Sequence, residues 1–196
     1  SSIMYDTTAF NLTMMYGLEA VTVPSNLEVG LKEWSPQNIS IKTNPEAIIW
    51  AVDGVDDNSV AFAARLMEKG VEVRIIDKEA LLSKQSLSRG SIAVLAMDNP
   101  EYEDLSETVN SIASDLDISV LSIESGFGAE ELPDWGGRHF RLLERPQIAI
   151  LSQSGFSSYD VGVSWWSLDH HLGIRHSQID ASLVNYADLR RYNTII

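Results

Sequence analysis

The chain of 196 residues contains no cysteine. Disulfide bonds are therefore excluded, and so is any reaction that needs a thiol nucleophile. Long apolar runs are also missing, since none approaches the roughly 20 residues that a membrane-spanning helix requires. We therefore expect a chain that does not insert into a membrane and that folds without covalent cross-links.

Basic residues are scarce. Lys and Arg number 14 against 28 Asp and Glu, which gives a formal net charge of −14 at pH 7. Such an excess of negative charge repels the phosphates of nucleic acids and of anionic membrane surfaces, so neither is expected as a partner. Hydrophobic residues make up 44% of the chain, a typical value for a globular protein with a real core.

The pattern of apolar residues divides the chain into three parts. Residues 1–44, with a short helix expected at 8–16, are predicted to pack on the unit that follows. Residues 45–145 predict an α/β unit of order β-α-β-β-α-β, and residues 146–196 begin a second α/β unit. Apolar runs without alternation are typical of strands buried on both faces, so we expect two linked open sheets with mostly parallel strands and flanking helices.

The first unit combines four predicted strands with two helices. One helix follows Asn58 or Ser59 and ends at Gly70, and the other is expected to begin with Asn99 as its N-cap. A polar linker is predicted at 81–89, and a glycine-rich loop at 124–138 marks the best domain boundary. The strands are predicted at 47–52, 71–76, 91–95 and 118–123. The apolar stripes of the two helices are predicted to be Val60, Ala63, Ala64 and Met67 in the first, and Leu105, Val109, Ile112 and Leu116 in the second.

The second unit begins with a strand at 147–151, a turn at 152–158 and a helix that ends at Gly173. Ser157 and Asp160 form a capping pair at the start of that helix. Further strands are expected at 177–179 and 193–196. The apolar stripe of the helix repeats at helical spacing in Val161, Trp165, Leu168 and Leu172.

The turn at 152–158 is the first candidate ligand site. It lies at the carboxyl end of a predicted strand, where open α/β sheets bind ligands, and free backbone N–H groups follow it at the helix start. An aromatic residue in the glycine-rich loop, expected at the surface, is a second candidate contact. The candidate ligand-binding residues are Ser154, Gly155, Ser157, Ser158 and Trp135.

A set of motifs gives a resemblance to a known family. The turn S-x-S-G-x-S-S, the Trp-bearing helix, H-H-L-G, Q-I-D-A and D-L-R-R-Y stand in order between residues 152 and 192, and Tyr5–Phe10 and Met15–Ala20 stand near the start. Together they resemble the amidotransferase-like domain, and the segment before it, that follow the catalytic domain of large zinc carboxypeptidase-like proteins. These are metallopeptidases of the carboxypeptidase A type.

The resemblance implies both a fold and a role. Residues 146–196 would be the truncated start of a flavodoxin-like sheet of the class I glutamine amidotransferase type. The chain would be a non-catalytic accessory fragment, with the parent peptidase domain as its partner in cis. Proteolysis, meaning removal of C-terminal residues from peptides, and the zinc cofactor would belong to the parent, which the family places in a secreted or periplasmic location.

The residues themselves offer no complete catalytic set, so no catalytic or metal-binding residue and no cofactor is predicted within the chain. The zinc pair H-x-x-E is absent, because none of the four histidines has Glu three residues later. Glutaminase chemistry is excluded without a cysteine, and Ser152–Gly155 does not match G-x-S-x-G. Asp53, Asp56 and Asp57 follow a strand and could hold a cation, but acidic residues before a helix commonly offset the helix dipole.

Two other functions stay open at this point. The chain could be a module that binds a small molecule or a glycan through the 152–158 turn and Trp135, or a structural dimerisation domain. Because it opens on SSIMYD and ends on a strand-like NTII, we expect it to be a segment of a longer protein.

Overall fold

The structure is a computed structural model that describes residues 44, 46–129 and 131–196. The predictions for residues 1–43, including the Tyr5–Phe10 motif and the helix at 8–16, lie outside the described residues. Within that part, the strands are β1 (Ile49–Val52), β2 (Arg74–Ile76), β3 (Ala80–Leu82), β4 (Gln85–Leu87), β5 (Ile92–Leu95), β6 (Leu121–Ile123), β7 (Phe140–Leu142), β8 (Ile148–Ser152), β9 (His176–Asp180) and β10 (Thr194–Ile195). The α-helices are α1 (Ser59–Glu68), α2 (Leu105–Asp115) and α3 (Ser158–Trp166).

Among the residues that the structure describes, the larger sheet has five strands in the order β6-β1-β5-β2-β7, and every neighbouring pair of these is antiparallel. The α/β class is confirmed, but the prediction of mostly parallel strands is wrong for this sheet. The prediction failed because both faces of this sheet are covered by other parts of the chain. Its central strands β1 and β5 are buried on both faces, which produces the same unbroken apolar runs as parallel pairing does.

Two apolar cores lie on the two faces of this sheet. On one face, Trp50 and Val52 of β1 pack with the buried sides of α1 and α2. On the other face, Ile49 and Ala51 pack with the β3–β4 hairpin and with Trp135. Alternate residues of one strand thus feed different cores, as the period of a strand requires.

The predicted polar linker at 81–89 is wrong, because this segment is the β3–β4 hairpin. Its turn residues Ser83 and Lys84 have φ of 47° and 68°, the left-handed conformation that tight hairpins use. Leu82 and Leu87 are fully buried against the sheet. Ser83 lies in the turn and Ser86 is exposed, whereas Ser88 is partly buried and its hydroxyl donates to Asp53; these polar residues made the short alternating pattern hard to recognise in the sequence.

The predicted apolar stripes hold well in α1 and α2 but not in α3 and the helical turn after it, where of Val161, Trp165, Leu168 and Leu172 only Leu168 is buried. Leu105, Val109, Ile112 and Leu116 are all buried, as predicted. However, α2 begins at Leu105 with Asp104 as N-cap, so the prediction that Asn99 caps it is wrong. In α1, Ala63, Ala64 and Met67 are buried as predicted, whereas Val60 is 60% exposed and does not belong to the stripe.

The smaller sheet has, within the described ranges, three parallel strands in the order β10-β8-β9. The strands predicted at 147–151, 177–179 and 193–196 correspond to them, and Gly173 takes the left-handed φ of 69° at the end of the preceding helix. A π-helical turn, Ser167–Leu172, extends α3. Ile148, Ile150, Leu168 and Ile174 pack on Ala64, so α1 lies between the two sheets and contributes to the cores of both.

Candidate functional site

The turn after β8 is built by two residues with left-handed backbone. Gln153 has φ of 62° and Gly155 has φ of 92°, and the N–H of Phe156 donates to the carbonyl of Gln153 at 2.7 Å. Ser152 is buried, and its hydroxyl donates to the Ile179 carbonyl at 3.4 Å. The chain therefore turns sharply at the carboxyl edge of the parallel sheet and enters α3.

Ser157 caps α3, as its position before Asp160 predicts. Its backbone is extended, and its hydroxyl accepts a hydrogen bond from the Asp160 N–H at 3.5 Å. Asp160 lies in the first turn, where a carboxylate offsets the helix dipole. Ser157 thus has a structural role in this geometry, whether or not a ligand reaches the turn.

A groove of about 360 Å³ lies beside this turn, along α3, and we call it the α3 groove. Of the predicted ligand-binding residues, Ser158 lines it, whereas Ser154 and Gly155 stand exposed on the outer side of the turn. Sequence reasoning missed the side chains that supply most of its wall. The lining residues are Ser152, Gln153, Phe156, Ser158, Val161, Gly162, Trp165 and Gln178.

Trp135 is buried, so the expectation that it lies at the surface is wrong. Only 8% of it is exposed, and its ring lies 5.0 Å from the ring of Phe140 and 5.8 Å from the guanidinium carbon of Arg74. The backbone N–H of Trp135 donates to the Gly126 carbonyl at 2.8 Å, and the bare Cα of Gly126 leaves room for the Trp135 side chain. The glycine-rich loop folds back over the sheet and buries the indole there.

Asp53 and Asp56, which follow β1, both accept hydrogen bonds from backbone N–H groups two residues further on. Asp53 accepts hydrogen bonds from the Val55 N–H at 3.2 Å and from the hydroxyl of Ser88. Asp56 accepts one from the Asn58 N–H at 2.9 Å. Their oxygens are thus used, at least in part, to shape the backbone before α1.

Three of the four histidines have distinct local settings. Nδ1 of His139 lies 2.7 Å from Asp77, and Nδ1 of His176 lies 3.1 Å from the Ile174 carbonyl. His170 sits between the rings of Trp165 and Trp166, at 5.7 and 5.9 Å. No group of three His, Asp or Glu side chains in the described part of the chain is placed to hold a metal ion.

A second cleft, of about 420 Å³, lies at the opposite edge of the parallel sheet. Its centre is Glu68 at the end of α1, whose carboxylate pairs with Arg145 at 3.2 Å and with Arg175. Burial raises the pKa of Glu68, but the hydrogen bonds and charges of the two arginines outweigh it and leave that pKa below its usual value. Arg191 also lines this cleft, which we call the arginine cleft.

None of the helices in the described ranges is long and apolar enough to cross a membrane. Comparison of the chain with models of protein families, with curated proteins and with solved structures found no match.

Proposed function

We propose that the chain is a non-catalytic accessory part of a zinc carboxypeptidase-like metallopeptidase. The parent removes C-terminal residues from peptides with zinc held in its own catalytic domain, and that domain is the partner of this chain in cis. A secreted or periplasmic location follows from the same family resemblance. The motifs between residues 152 and 192 and near Tyr5–Phe10 are the basis of this proposal.

The order of the parallel strands supports the proposed flavodoxin-like, amidotransferase-type start. In chain order, β8 stands in the centre, β9 on one side of it and β10 on the other. Doubly wound sheets of the flavodoxin type begin with this order, with the second and third strands on opposite sides of the first. Such sheets are extended beyond the third strand by further βα units.

The observation that carries the proposal is the bare apolar surface of α3. No residue of this helix is buried. Tyr159, Val163 and Trp166 are exposed to solvent, and Val161 and Trp165 beside them are only partly covered. Helix α3 carries apolar side chains on more than one side, with Ser158, Asp160 and Ser164 between them, and exposed apolar patches of this kind mark contacts with other protein. We call Tyr159, Val163 and Trp166 the α3 patch, and we infer that a neighbouring part of the parent protein covers it.

The residue content is compatible with a role in support of catalysis by another domain. The zinc pair H-x-x-E occurs nowhere in the 196 residues, and the chain has no cysteine for amidotransferase chemistry. The accessory unit would then act by shaping or holding the catalytic domain through the α3 patch.

The coding sequence on either side of this chain tests the proposal. We expect an upstream H-x-x-E with a later His, and zinc-dependent release of C-terminal residues by the longer protein. The 196-residue chain alone is expected to release none. Zinc-dependent peptide hydrolysis by the chain alone, or a reading frame without the upstream motif, contradicts the proposal.

The α3 groove favours a second candidate function, the binding of a small molecule or glycan. It lies at the carboxyl edge of the parallel sheet and offers Trp165 as a stacking surface and Gln178 and Ser158 as polar contacts. A ligand that stabilises the chain in a thermal-shift screen supports binding if Gly162→Val, which fills the groove, abolishes the shift. Gly136→Val, at an equally open position outside the groove, is the control.

A further inference from the structure

Each strand of the parallel sheet is preceded by an arginine. Arg145 stands three residues before β8, Arg175 one residue before β9, and Arg191 three residues before β10. Because the amino ends of parallel strands meet at one edge of the sheet, the three arginines come together there and all line the arginine cleft. The first residues of β8 and β9 form its floor.

The cleft carries a surplus of positive charge in an acidic protein. Its lining holds three arginines and one carboxylate, that of Glu68, so these four side chains carry a net charge of +2. The whole chain, in contrast, has a net charge of −14. Glu68 pairs with Arg145 and Arg175, whereas the side chain of Arg191 makes no hydrogen bond or ion pair in the part of the chain that the structure describes; its backbone N–H donates to the Asp188 carbonyl at 3.4 Å. Glu144 is engaged with Asn193 and does not line the cleft.

The ion pairs of Glu68 with Arg145 and Arg175 have a structural explanation, because they connect the end of α1 to residues next to the strands of the parallel sheet. That explanation does not include Arg191. The Arg191 side chain, whose five N–H donors make no hydrogen bond within the described residues, lines the same cavity together with Tyr192 and Ser177. Guanidinium groups match the oxygen pairs of carboxylates and phosphates, which they bind by two parallel hydrogen bonds.

We propose that the arginine cleft binds a small oxyanion, a carboxylate or phosphate group on a small molecule, with Arg191 as the main contact. Arg145 and Arg175 add their charge while Glu68 holds them in place and limits affinity. This site lies at the edge opposite the 152–158 turn, and the proposal does not depend on the accessory role of the chain.

The test is a calorimetric titration of the full chain with inorganic phosphate and, separately, with malonate, at an ionic strength fixed with sodium chloride. Arg191→Ala is expected to weaken binding about tenfold or more, the loss of a charge-assisted hydrogen-bonded contact. Arg190→Ala is the control, because Arg190 pairs with Asp188 at 2.8 Å on the surface and does not line the cleft. It is expected to change the affinity less than about twofold.

A second variant moves the affinity in the opposite direction. Glu68→Gln removes the carboxylate that competes for Arg145 and Arg175, so it should tighten binding several-fold while circular dichroism shows an intact fold. The preferred anion identifies the ligand class. The proposal is overturned if neither anion binds at matched ionic strength, if Arg190→Ala weakens binding as much as Arg191→Ala, or if Glu68→Gln leaves binding unchanged or weaker.

Discussion

The side chain of Asn99 pairs with the backbone of Glu72 through two hydrogen bonds. The Glu72 N–H donates to Oδ1 of Asn99 at 2.7 Å, and Nδ2 of Asn99 donates to the Glu72 carbonyl at 3.1 Å. Nδ2 also donates to the Leu95 carbonyl at 3.0 Å. Asn99 itself is almost fully buried. One amide thus satisfies three backbone groups where β5 ends and the chain approaches β2.

Replacement of Asn99 should therefore be costly. Asn99→Leu keeps the volume but leaves these three backbone groups without their partner, and we expect it to lower the free energy of unfolding by about 2–4 kcal/mol. Urea denaturation followed by circular dichroism measures the change. The control is Asn110→Leu, because Asn110 makes a long hydrogen bond of 3.4 Å to Ser106 on the same helix. Equal effects of the two substitutions would contradict the role of Asn99.

Glu68 should make stability depend on pH. Its folded-state pKa lies below the usual value of 4.5, so its contribution is present above that value and is lost as the pH falls through the folded-state pKa. Glu68→Gln is expected to cost about 1 kcal/mol at pH 7, and this difference from the unmodified chain should shrink at acidic pH. Urea denaturation of both proteins between pH 7 and pH 3 measures it. A difference that stays constant across this range would contradict the ion-pair account.

Two glycines of the second unit should respond in opposite ways to alanine. At both Gly155 and Gly162 an added Cβ would meet no atom within 4 Å. Steric clashes with neighbouring residues therefore do not contribute to the difference between the two substitutions. Gly162 lies inside α3, and Gly162→Ala should stabilise by about 0.5–1 kcal/mol. Gly155 has φ of 92°, so Gly155→Ala should destabilise by about 1 kcal/mol or more. Thermal unfolding checks both, and the same sign of effect in the two variants would show that backbone conformation does not decide the outcome.

Local patterns predicted what depends on near neighbours in the chain. The stripe from Leu105 to Leu116, the Ser157 cap and the left-handed Gly173 are each decided within a few residues. Strand direction in the larger sheet is not decided by near neighbours in the chain, because β1 and β5 are apolar runs whether their partner strands are parallel or antiparallel. The same limit explains Asn99, which has the residue type of a helix cap but bonds to distant backbone instead.

In the candidate sites, too, features set by near neighbours in the chain were predictable, and features that depend on distant residues were not. Ser158 was found because the turn after a strand is a local signal, whereas Gln178 comes from another strand and had no such signal. Burial of Trp135 depends on a loop that folds back onto a sheet formed elsewhere. The arginine cleft did have a signal in the sequence: Arg145, Arg175 and Arg191 each precede a predicted strand by a few residues. Parallel pairing of those strands is what turns the spacing into a cluster.

The α3 patch gives the most direct test of the proposed accessory role. The chain has no cysteine, so Val163→Cys introduces a single thiol into it, and Val60→Cys introduces one on the outer side of α1. The two valines are similarly exposed, at 66% and 60%. Both thiols should react rapidly with a maleimide in the chain alone, at rates that do not vary with protein concentration. A rate for the Val163→Cys thiol that falls as concentration rises would favour the dimerisation alternative instead.

The decisive measurement is the ratio of the two labelling rates in the longer protein. If a neighbouring part of the parent covers α3, the Val163→Cys thiol should react at least about tenfold more slowly there than in the chain alone, as befits a side chain at the core of an interface. The Val60→Cys thiol should keep its rate. Equal rates for both thiols in the longer protein would show that α3 stays bare, and would contradict the account.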